Sequence, residues 1–178
     1  MIRDRIELLD DILVGYRSVI GGGYDGYRNH VYRMVNFCLA LGETSDEETE
    51  KIVIAGCFHD IGIWTGDTFD YLPPSIVAAN EYLERNGLGG WSGAITRMID
   101  EHHKVRTVSG GDERLAEIFR KGDLVDFSLG IVKCGVSRQT IAAVKRQFPN
   151  AGFHKGLVKL AGRWICRHPL NPIPVLKW

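Results

Sequence analysis

Hydrophobic residues recur along this chain at helical spacing, and no segment alternates between apolar and polar residues as a half-buried strand does. The first apolar stripe predicts a helix over residues 2–20, which ends at a glycine-rich turn over residues 21–26. A second stripe predicts a helix over residues 26–41. Its inward band contains one histidine among apolar residues: His30, Met34, Phe37 and Leu41.

The later helices have recognisable start and stop signals. Ser45 and Glu48 form a capping-box pattern that opens a helix over residues 46–61, and a loop over residues 61–72 follows. The pattern then predicts further helices and a final proline-containing strap, over residues 73–86, 92–104, 112–129, 137–148, 153–167 and 169–178. We therefore predict an all-α fold, a single helical bundle domain over residues 1–178.

Composition changes this picture little. Hydrophobic residues make up 44% of the chain and charged residues 25%, which is ordinary for a globular protein. No apolar run approaches the roughly 20 residues of a membrane span, and the amino terminus is too charged for a signal sequence. We therefore expect a cytoplasmic protein without a membrane partner. Nucleophile-elbow, phosphate-loop and zinc-finger motifs are missing from the sequence.

Charge is distributed unevenly although the formal net charge is zero. Residues 1–126 carry 13 basic and 22 acidic side chains, whereas residues 127–178 carry nine basic and no acidic ones. The late cations are spaced out within a helical apolar pattern, which argues against a nucleic-acid partner. Four of them recur every fourth residue and form either a solvated face, which is the simpler interpretation, or a phosphate-binding wall: Lys155, Lys159, Arg163 and Arg167. A homodimer is compatible with this basic helix.

The most informative candidate chemistry is the His59-Asp60 pair, which ends an almost wholly apolar run over residues 52–63. Burying an ionised carboxylate costs several kcal/mol or more unless it is paired or bound to a cation. Imidazole and carboxylate are both ligands of divalent metals. The dipeptide by itself is equally compatible with a metal site and with a buried His-Asp hydrogen bond.

Other polar residues lie where they could complete such a site. His30 faces the core, where a lone histidine is more often a satisfied core residue than a ligand. Arg33, one turn later, could orient a carboxylate or bind a substrate phosphate, or could be an ordinary surface arginine. His102 and His103 end a helix and are either exposed or available as a ligand or general acid.

A late carboxylate could also take part. Asp123 and Asp126 follow an apolar face on the same predicted helix. Either could supply a second carboxylate ligand, although plain solvent exposure is the simpler explanation. Periodicity slightly favours Asp126 as the inward residue, but the pattern does not decide between them.

Taken in order, a histidine, the His59-Asp60 pair and a late aspartate resemble the H…HD…D pattern of the HD-domain metal-dependent phosphohydrolase superfamily. Four short segments are similar to that family's motifs: H-x-x-R-M at residues 30–34, F-H-D-I-G at 58–62, I-x-x-H-H at 99–103 and K-G-D-L-V at 121–125. The resemblance covers about residues 25–130 and selects Asp123 over Asp126.

This resemblance implies one divalent metal ion with four protein ligands: His30, His59, Asp60 and Asp123. Mixed nitrogen and oxygen ligands suit Mn²⁺, Co²⁺, Ni²⁺, Fe²⁺ or Zn²⁺, and suit Mg²⁺ less well. Asp60 would also steer the metal-bound water, and His102 or a basic residue would balance charge on the leaving group. Members with two metals use further histidines spread along the chain, whereas His102 and His103 are adjacent, so we expect a single ion.

The implied activity is hydrolysis of a small phosphate ester, a nucleotide or a related metabolite. Two alternatives stay open because one scaffold can host several chemistries. The first is a hydratase or lyase like the cyanamide hydratase-like members of the fold. The second is a regulatory module that binds a nucleotide without turning it over.

Overall fold

The structure is a computed structural model, and it describes residues 2–66, 68–108, 113–170 and 174–175. Within these ranges every regular element is helical, as the periodicity predicts. None of these helices combines the length and the apolar character that crossing a bilayer requires. The α-helices are α1 (Glu7–Val14), α2 (Arg17–Ile20), α3 (Tyr24–Leu41), α4 (Asp46–Phe58), α5 (Gly62–Thr65), α6 (Leu72–Arg85), α7 (Ser92–Glu101), α8 (Glu113–Phe127), α9 (Arg138–Gln147) and α10 (Phe153–Arg167).

The amino-terminal region differs from the single helix predicted over residues 2–20. After α1, the backbone N–H groups of Gly15 and Tyr16 bond only three residues back, to Ile12 and Leu13, so the helix tightens and breaks before α2. The glycine-rich segment is also not an open turn. A 3₁₀ turn at Gly21–Gly23 leads directly into α3.

One further prediction is refined, and another lies largely outside the described residues. The predicted loop over residues 61–72 contains the short helix α5. The predicted strap over residues 169–178 falls largely outside the described residues, which exclude 171–173 and 176–178. Of its described part, Val175 is buried in a small apolar cluster with Phe69, Tyr71 and Leu72.

Helix α3 lies at the centre of the bundle. It packs most extensively against α8 and also contacts α4 and α9. Its buried side chains point in most directions around the helix, including Tyr27, Val31, Met34, Phe37 and Cys38. A helix that is buried almost all round must be enclosed by other helices. Polar side chains on α3 that face inward are therefore held in fixed positions within the core.

The close crossing of α3 and α8 depends on Gly122. A Cβ atom at this position would collide with the Cys38 sulfur and would lie 3.1 Å from both the Cys38 nitrogen and the Met34 carbonyl oxygen. The absence of a side chain therefore lets the two backbones approach. Because the next residue is Asp123, this crossing also determines how far that carboxylate projects toward α3.

We expect the Gly122→Ala variant to be less stable than the wild type by about 2–3 kcal/mol, because the added methyl overpacks two helix backbones. Urea denaturation measures the difference. Gly93→Ala in α7 is the matched control, since an added Cβ there meets no atom within 4 Å. The control should be neutral or gain up to about 1 kcal/mol from helix propensity. Equal effects of the two substitutions would contradict this account of the crossing.

Helix α4 delivers its last residues into the core in a defined orientation. Ser45 accepts the backbone N–H of Glu48 at 3.1 Å, and Glu48 accepts that of Ser45 at 2.9 Å, so the predicted capping box is confirmed. Beyond the helix, the Gly62 N–H donates to Ser75 Oγ at 2.9 Å, and a Cβ at Gly62 would collide with the Tyr71 carbonyl. This contact with the start of α6 explains why the His-Asp pair is followed by a glycine.

Candidate metal centre

The four predicted ligands come from three parts of the chain, α3, the end of α4, and α8, and they converge around one point. The Nε2 atoms of His30 and His59 are 3.0 Å apart. Oδ2 of Asp60 lies 3.8 Å and 3.4 Å from these two atoms. Oδ1 of Asp123 lies 3.5 Å and 3.7 Å from them. Ligands at about 2.1 Å from one ion lie roughly 3–4 Å from each other, so these spacings fit a shared cation.

The opposite nitrogen of each imidazole has its own partner. His30 Nδ1 lies 2.7 Å from Asp126 Oδ2, and His59 Nδ1 lies 2.8 Å from the Gly56 carbonyl oxygen. Because both partners accept hydrogen bonds, the hydrogen-bond network assigns the proton of each neutral ring to Nδ1. Both Nε2 lone pairs then face each other and two carboxylates. A cation between them removes this repulsion, and a metal-bound histidine has the same tautomer.

The protonation state of His59 suits this role. Burial lowers the pKa of His59 to about 3, although the Asp60 charge opposes that shift. The ring is therefore neutral at physiological pH and presents a lone pair at Nε2. Both rings are almost fully buried, at 1% and 0% exposure for His30 and His59, so bulk solvent does not reach them.

The two carboxylates differ electrostatically. Burial would raise the pKa of Asp60, but its interaction with the imidazole of His102, whose own pKa is raised, outweighs burial and holds the Asp60 pKa well below its usual range. For Asp123, burial dominates, and the charges of Asp60 and Asp126 add to it. Despite the opposing imidazoles of His102 and His30, the pKa of Asp123 is raised to about 6. A cation in the centre would favour the ionised form of both carboxylates.

Asp126, which periodicity slightly favoured as the inward residue, is buried as well but serves a different purpose. Its carboxylate accepts from Arg33 Nε at 2.5 Å and Nη2 at 2.8 Å, in addition to its contact with His30. Burial would raise the pKa of Asp126, but these hydrogen bonds hold it well below its usual range. Asp126 therefore orients His30 from behind, whereas Asp123 faces the imidazole pair.

The contacts of Arg33 favour one of its predicted roles, orienting a carboxylate, over the other, binding a substrate phosphate. Arg33 is 2% exposed, and besides Asp126 its guanidinium donates to the carbonyl oxygens of Phe148 and Pro149, at 3.1 Å and 3.2 Å. A guanidinium held in this way cannot reach a substrate phosphate. Arg33 is a positioning residue: it orients a carboxylate, as the other predicted role proposed, and that carboxylate is Asp126.

The second oxygen of Asp60 and the ring of His102 form an unsatisfied pair beside the four ligands. His102 Nδ1 lies 2.7 Å from the Ile99 carbonyl oxygen, which assigns its proton to that atom in the neutral ring. Asp60 Oδ1 and His102 Nε2 are 3.6 Å apart, and neither has a hydrogen-bond partner although both are buried. Buried polar atoms without partners are costly, so this pair is suited to bind a water or a ligand atom.

His103 lies next to this pair and widens the set of potential metal ligands. Atoms of Asp60, His102 and His103 all lie within 4.8 Å of one another, as do those of His30, His59 and Asp60. The adjacency of His102 and His103 in sequence therefore does not prevent both from approaching Asp60. The cluster offers ligands on two sides of that carboxylate, a feature that the sequence analysis did not expect.

Residues from outside the predicted motifs also surround the centre. The Tyr71 hydroxyl lies 2.6 Å from His103 Nε2, and burial together with the nearby Asp60 and Asp123 raises the pKa of Tyr71 well above its usual value. The Phe153 ring stacks on His30, with centroids 4.2 Å apart and planes 13° from parallel. The sequence analysis missed both residues, because an aromatic residue within an apolar pattern does not indicate whether it lies near a functional site.

Comparison with known proteins agrees with this geometry. The family model described as HD domain matches residues 27–125, a segment that contains all four predicted ligands and the His102-His103 pair. No curated protein and no solved structure matches the chain.

Proposed function

This chain belongs to the HD metal-dependent phosphohydrolase superfamily, and from that premise and the geometry of the metal centre we propose that it hydrolyses a small phosphate ester. The substrate class is a nucleotide or a related phosphorylated metabolite. The proposed ligands of one divalent ion are His30, His59, Asp60 and Asp123. The nitrogen and oxygen donors suit Mn²⁺, Co²⁺, Ni²⁺, Fe²⁺ or Zn²⁺.

The observation that carries the proposal is the set of four electron-pair donors facing one another in a buried place. His30 and His59 direct unprotonated Nε2 atoms at each other at 3.0 Å, with two carboxylates within 3.8 Å of those atoms. Such an arrangement is unfavourable without a cation and favourable with one. A degenerate module that only bound nucleotides would have no need for it.

A divalent ion in this place would lower the pKa of a bound water and polarise a phosphoryl oxygen. Asp60 Oδ1 lacks a hydrogen-bond partner, so it can accept a hydrogen bond from that water and orient it. One carboxylate thus serves both as ligand and as orienting acceptor.

His102 can supply the proton for the leaving group. Burial would lower the pKa of His102, but the facing Asp60 and the charge of Asp123 outweigh it, so the pKa is raised. The protonated ring keeps its bond to the Ile99 carbonyl oxygen and carries its second proton at Nε2, toward Asp60. A proton there can move to an oxygen that leaves with negative charge.

Metal analysis and turnover test the proposal together. Protein purified without chelator should contain about one divalent ion per chain, and His59→Ala should contain less than a tenth of that. His168→Ala, which changes an exposed histidine on the surface, is the matched control and should keep the wild-type content. Wild-type protein with Mn²⁺ or Co²⁺ should release phosphate from a panel of phosphomonoesters.

The results also distinguish the alternatives. Tight binding of nucleotides without product would indicate a regulatory module, and turnover of a cyanamide-type substrate without phosphate release would indicate a hydratase. An unchanged metal content in His59→Ala would show that the ligand assignment is wrong. Two ions per chain would indicate that Asp60, His102 and His103 bind a second ion.

A further inference from the structure

One cavity of ligand size in the described part of the chain lies away from the metal centre. It has a volume of about 500 Å³ and lies between the Gly21–Gly23 turn, α5 and α10. A second cavity of about 320 Å³ adjoins it along α10, and the two share Ile63, Leu160 and Arg163. Ligand pockets commonly have volumes of about 300–1,000 Å³, so the larger cavity alone could hold a small organic molecule.

The walls combine aromatic and aliphatic surface with positive charge. Trp64, Phe153, Leu157 and Leu160 line the larger cavity, and Lys159 and Arg163 stand at its edge on α10. Arg167 extends the positive charge along the smaller cavity. No acidic residue lines either cavity, and among the described residues these three cations have no ion-pair partner. Because the chain has no acidic residue after residue 126, no carboxylate side chain within that segment can pair with these cations.

A layer of aromatic rings separates the cavities from the metal centre. Phe153, which lines the larger cavity, stacks on His30 with ring centroids 4.2 Å apart, and Trp64 lies 4.8 Å from Tyr27. None of the four proposed metal ligands lines either cavity, and neither do His102 and His103. A molecule in the larger cavity would contact the outer side of Phe153 and could not touch the facing Nε2 atoms.

We propose that the larger cavity binds a small organic phosphate, with its apolar or aromatic body against Trp64, Phe153 and Leu160 and its phosphate at Lys159 and Arg163. A dianionic phosphate matches a pair of cations without partners, and arginine can bind it in a bidentate manner. The flat aromatic walls favour a planar body such as a purine or a naphthyl ring. This site is distinct from the metal centre and does not depend on the proposed reaction.

The glycines of α10 allow a test that leaves the fold intact. Gly156 lines the larger cavity and Gly162 does not, and an added Cβ at either position meets no atom within 4 Å. Leucine at either position should favour the helix by a similar amount, because glycine is the poorer helix former. Only Gly156→Leu introduces a side chain into the cavity. Gly162→Leu is therefore a matched control for effects on α10.

Isothermal titration of metal-free protein in chelator measures binding of adenosine monophosphate and of 1-naphthyl phosphate, with adenosine and inorganic phosphate as partial probes. At least one organic phosphate should bind with a sub-millimolar Kd, at least about tenfold more tightly than either partial probe. Gly156→Leu and Arg163→Gln should each weaken binding by at least about tenfold. Gly162→Leu and Arg146→Gln, an exposed cation on α9, should change it less than about twofold.

Several outcomes would overturn the proposal. Failure of both organic phosphates to bind below 1 mM would do so, as would inorganic phosphate binding equally well, which would indicate a charged patch only. Equal effects of Gly156→Leu and Gly162→Leu would exclude the cavity as the site. Binding that appears only after Mn²⁺ is added would place the ligand at the metal centre. If the protein released no phosphate from any phosphomonoester, the proposed function would be wrong, but these binding titrations would be unchanged. The two proposals can therefore be refuted independently.

Discussion

In the metal-free protein at pH 7.5, Asp123→Asn is expected to be more stable than the wild type by about 1–3 kcal/mol. The pKa of Asp123 is raised from 3.8 to about 6, first by burial and then by the neighbouring carboxylates. Above pH 6 the folded protein must therefore hold an unfavourable charge that the unfolded chain solvates freely. Asparagine keeps the shape of the side chain and removes that charge.

The pH dependence follows from the direction of this shift. Between pH 3.8 and 6 the folded protein binds a proton at Asp123 that the unfolded chain has released, so this group lowers stability progressively as pH rises across that interval. The loss of stability caused by Asp123 is complete above about pH 6 and absent below pH 3.8. The advantage of Asp123→Asn in urea denaturation should therefore shrink as the pH is lowered from 7.5 to 4.

Addition of metal should reverse the order of stability. A ligand at 100 times its Kd stabilises the folded state by about 2.7 kcal/mol, so wild-type protein should gain stability when Mn²⁺ or Co²⁺ is added. The variant should gain little, because loss of a charged ligand weakens binding by about 100-fold or more. Glu50→Gln, an exposed carboxylate on α4, is the control and should match the wild type within about 0.5 kcal/mol. A variant that keeps the metal-induced gain would show that Asp123 is not a ligand.

Arg33→Met is expected to destabilise the protein by about 3–5 kcal/mol. The substitution keeps the long apolar stem but leaves Asp126 as a buried carboxylate with only His30 as a side-chain partner. The Phe148 carbonyl oxygen also loses its Arg33 donor, whereas the Pro149 carbonyl oxygen keeps a hydrogen bond from Asn29. Urea denaturation of chelated protein measures this loss.

Arg28→Met on the same helix is the matched control. Arg28 pairs with Asp10 at 2.8 Å, but both side chains are about one-third exposed, so its loss should cost about 1 kcal/mol or less. A double variant, Arg33→Met with Asp126→Leu, should recover at least about 1 kcal/mol because it leaves no unpaired charge. Equal costs for the two arginine variants would contradict the buried-pair interpretation.

Arg33→Met also tests the link to the metal centre. Asp126 holds the Nδ1 proton of His30, and an orienting partner of a metal-bound histidine typically contributes 10–100-fold to metal affinity. We expect the affinity of Arg33→Met for Co²⁺ to fall by that factor, measured on the fraction of protein that remains folded. The affinity of Arg28→Met for Co²⁺ should be unchanged.

Local patterns predicted the elements that carry the ligands. The capping box at Ser45 and the apolar run after it place His59 and Asp60 in the core, and the structure has both buried. The inward stripe of the second predicted helix likewise places His30 inside. In each case the signal lies within one helix, where the direction of a side chain follows from its position along the repeat.

Predictions that depended on contacts between helices were less successful. Periodicity could not separate Asp123 from Asp126, because both are buried on α8 at 4% and 3% exposure. Their different partners result from the close crossing of α3 and α8 at Gly122, which directs one carboxylate to His30 Nε2 and the other to Nδ1. Arg33, which the pattern also allowed on the surface, is enclosed because α9 and the residues after it cover α3.

The sequence by itself therefore determined the helical class, the cap of α4 and the set of inward polar residues. Only the tertiary structure decided which of these residues meet, that His103 joins Asp60, and that α10 encloses a cationic cavity one aromatic ring from His30. The physical reason is one of range. Helical periodicity reports how a side chain points relative to its own axis, whereas coordination, ion pairing and cavities depend on the distance between axes, which packing across the whole bundle sets.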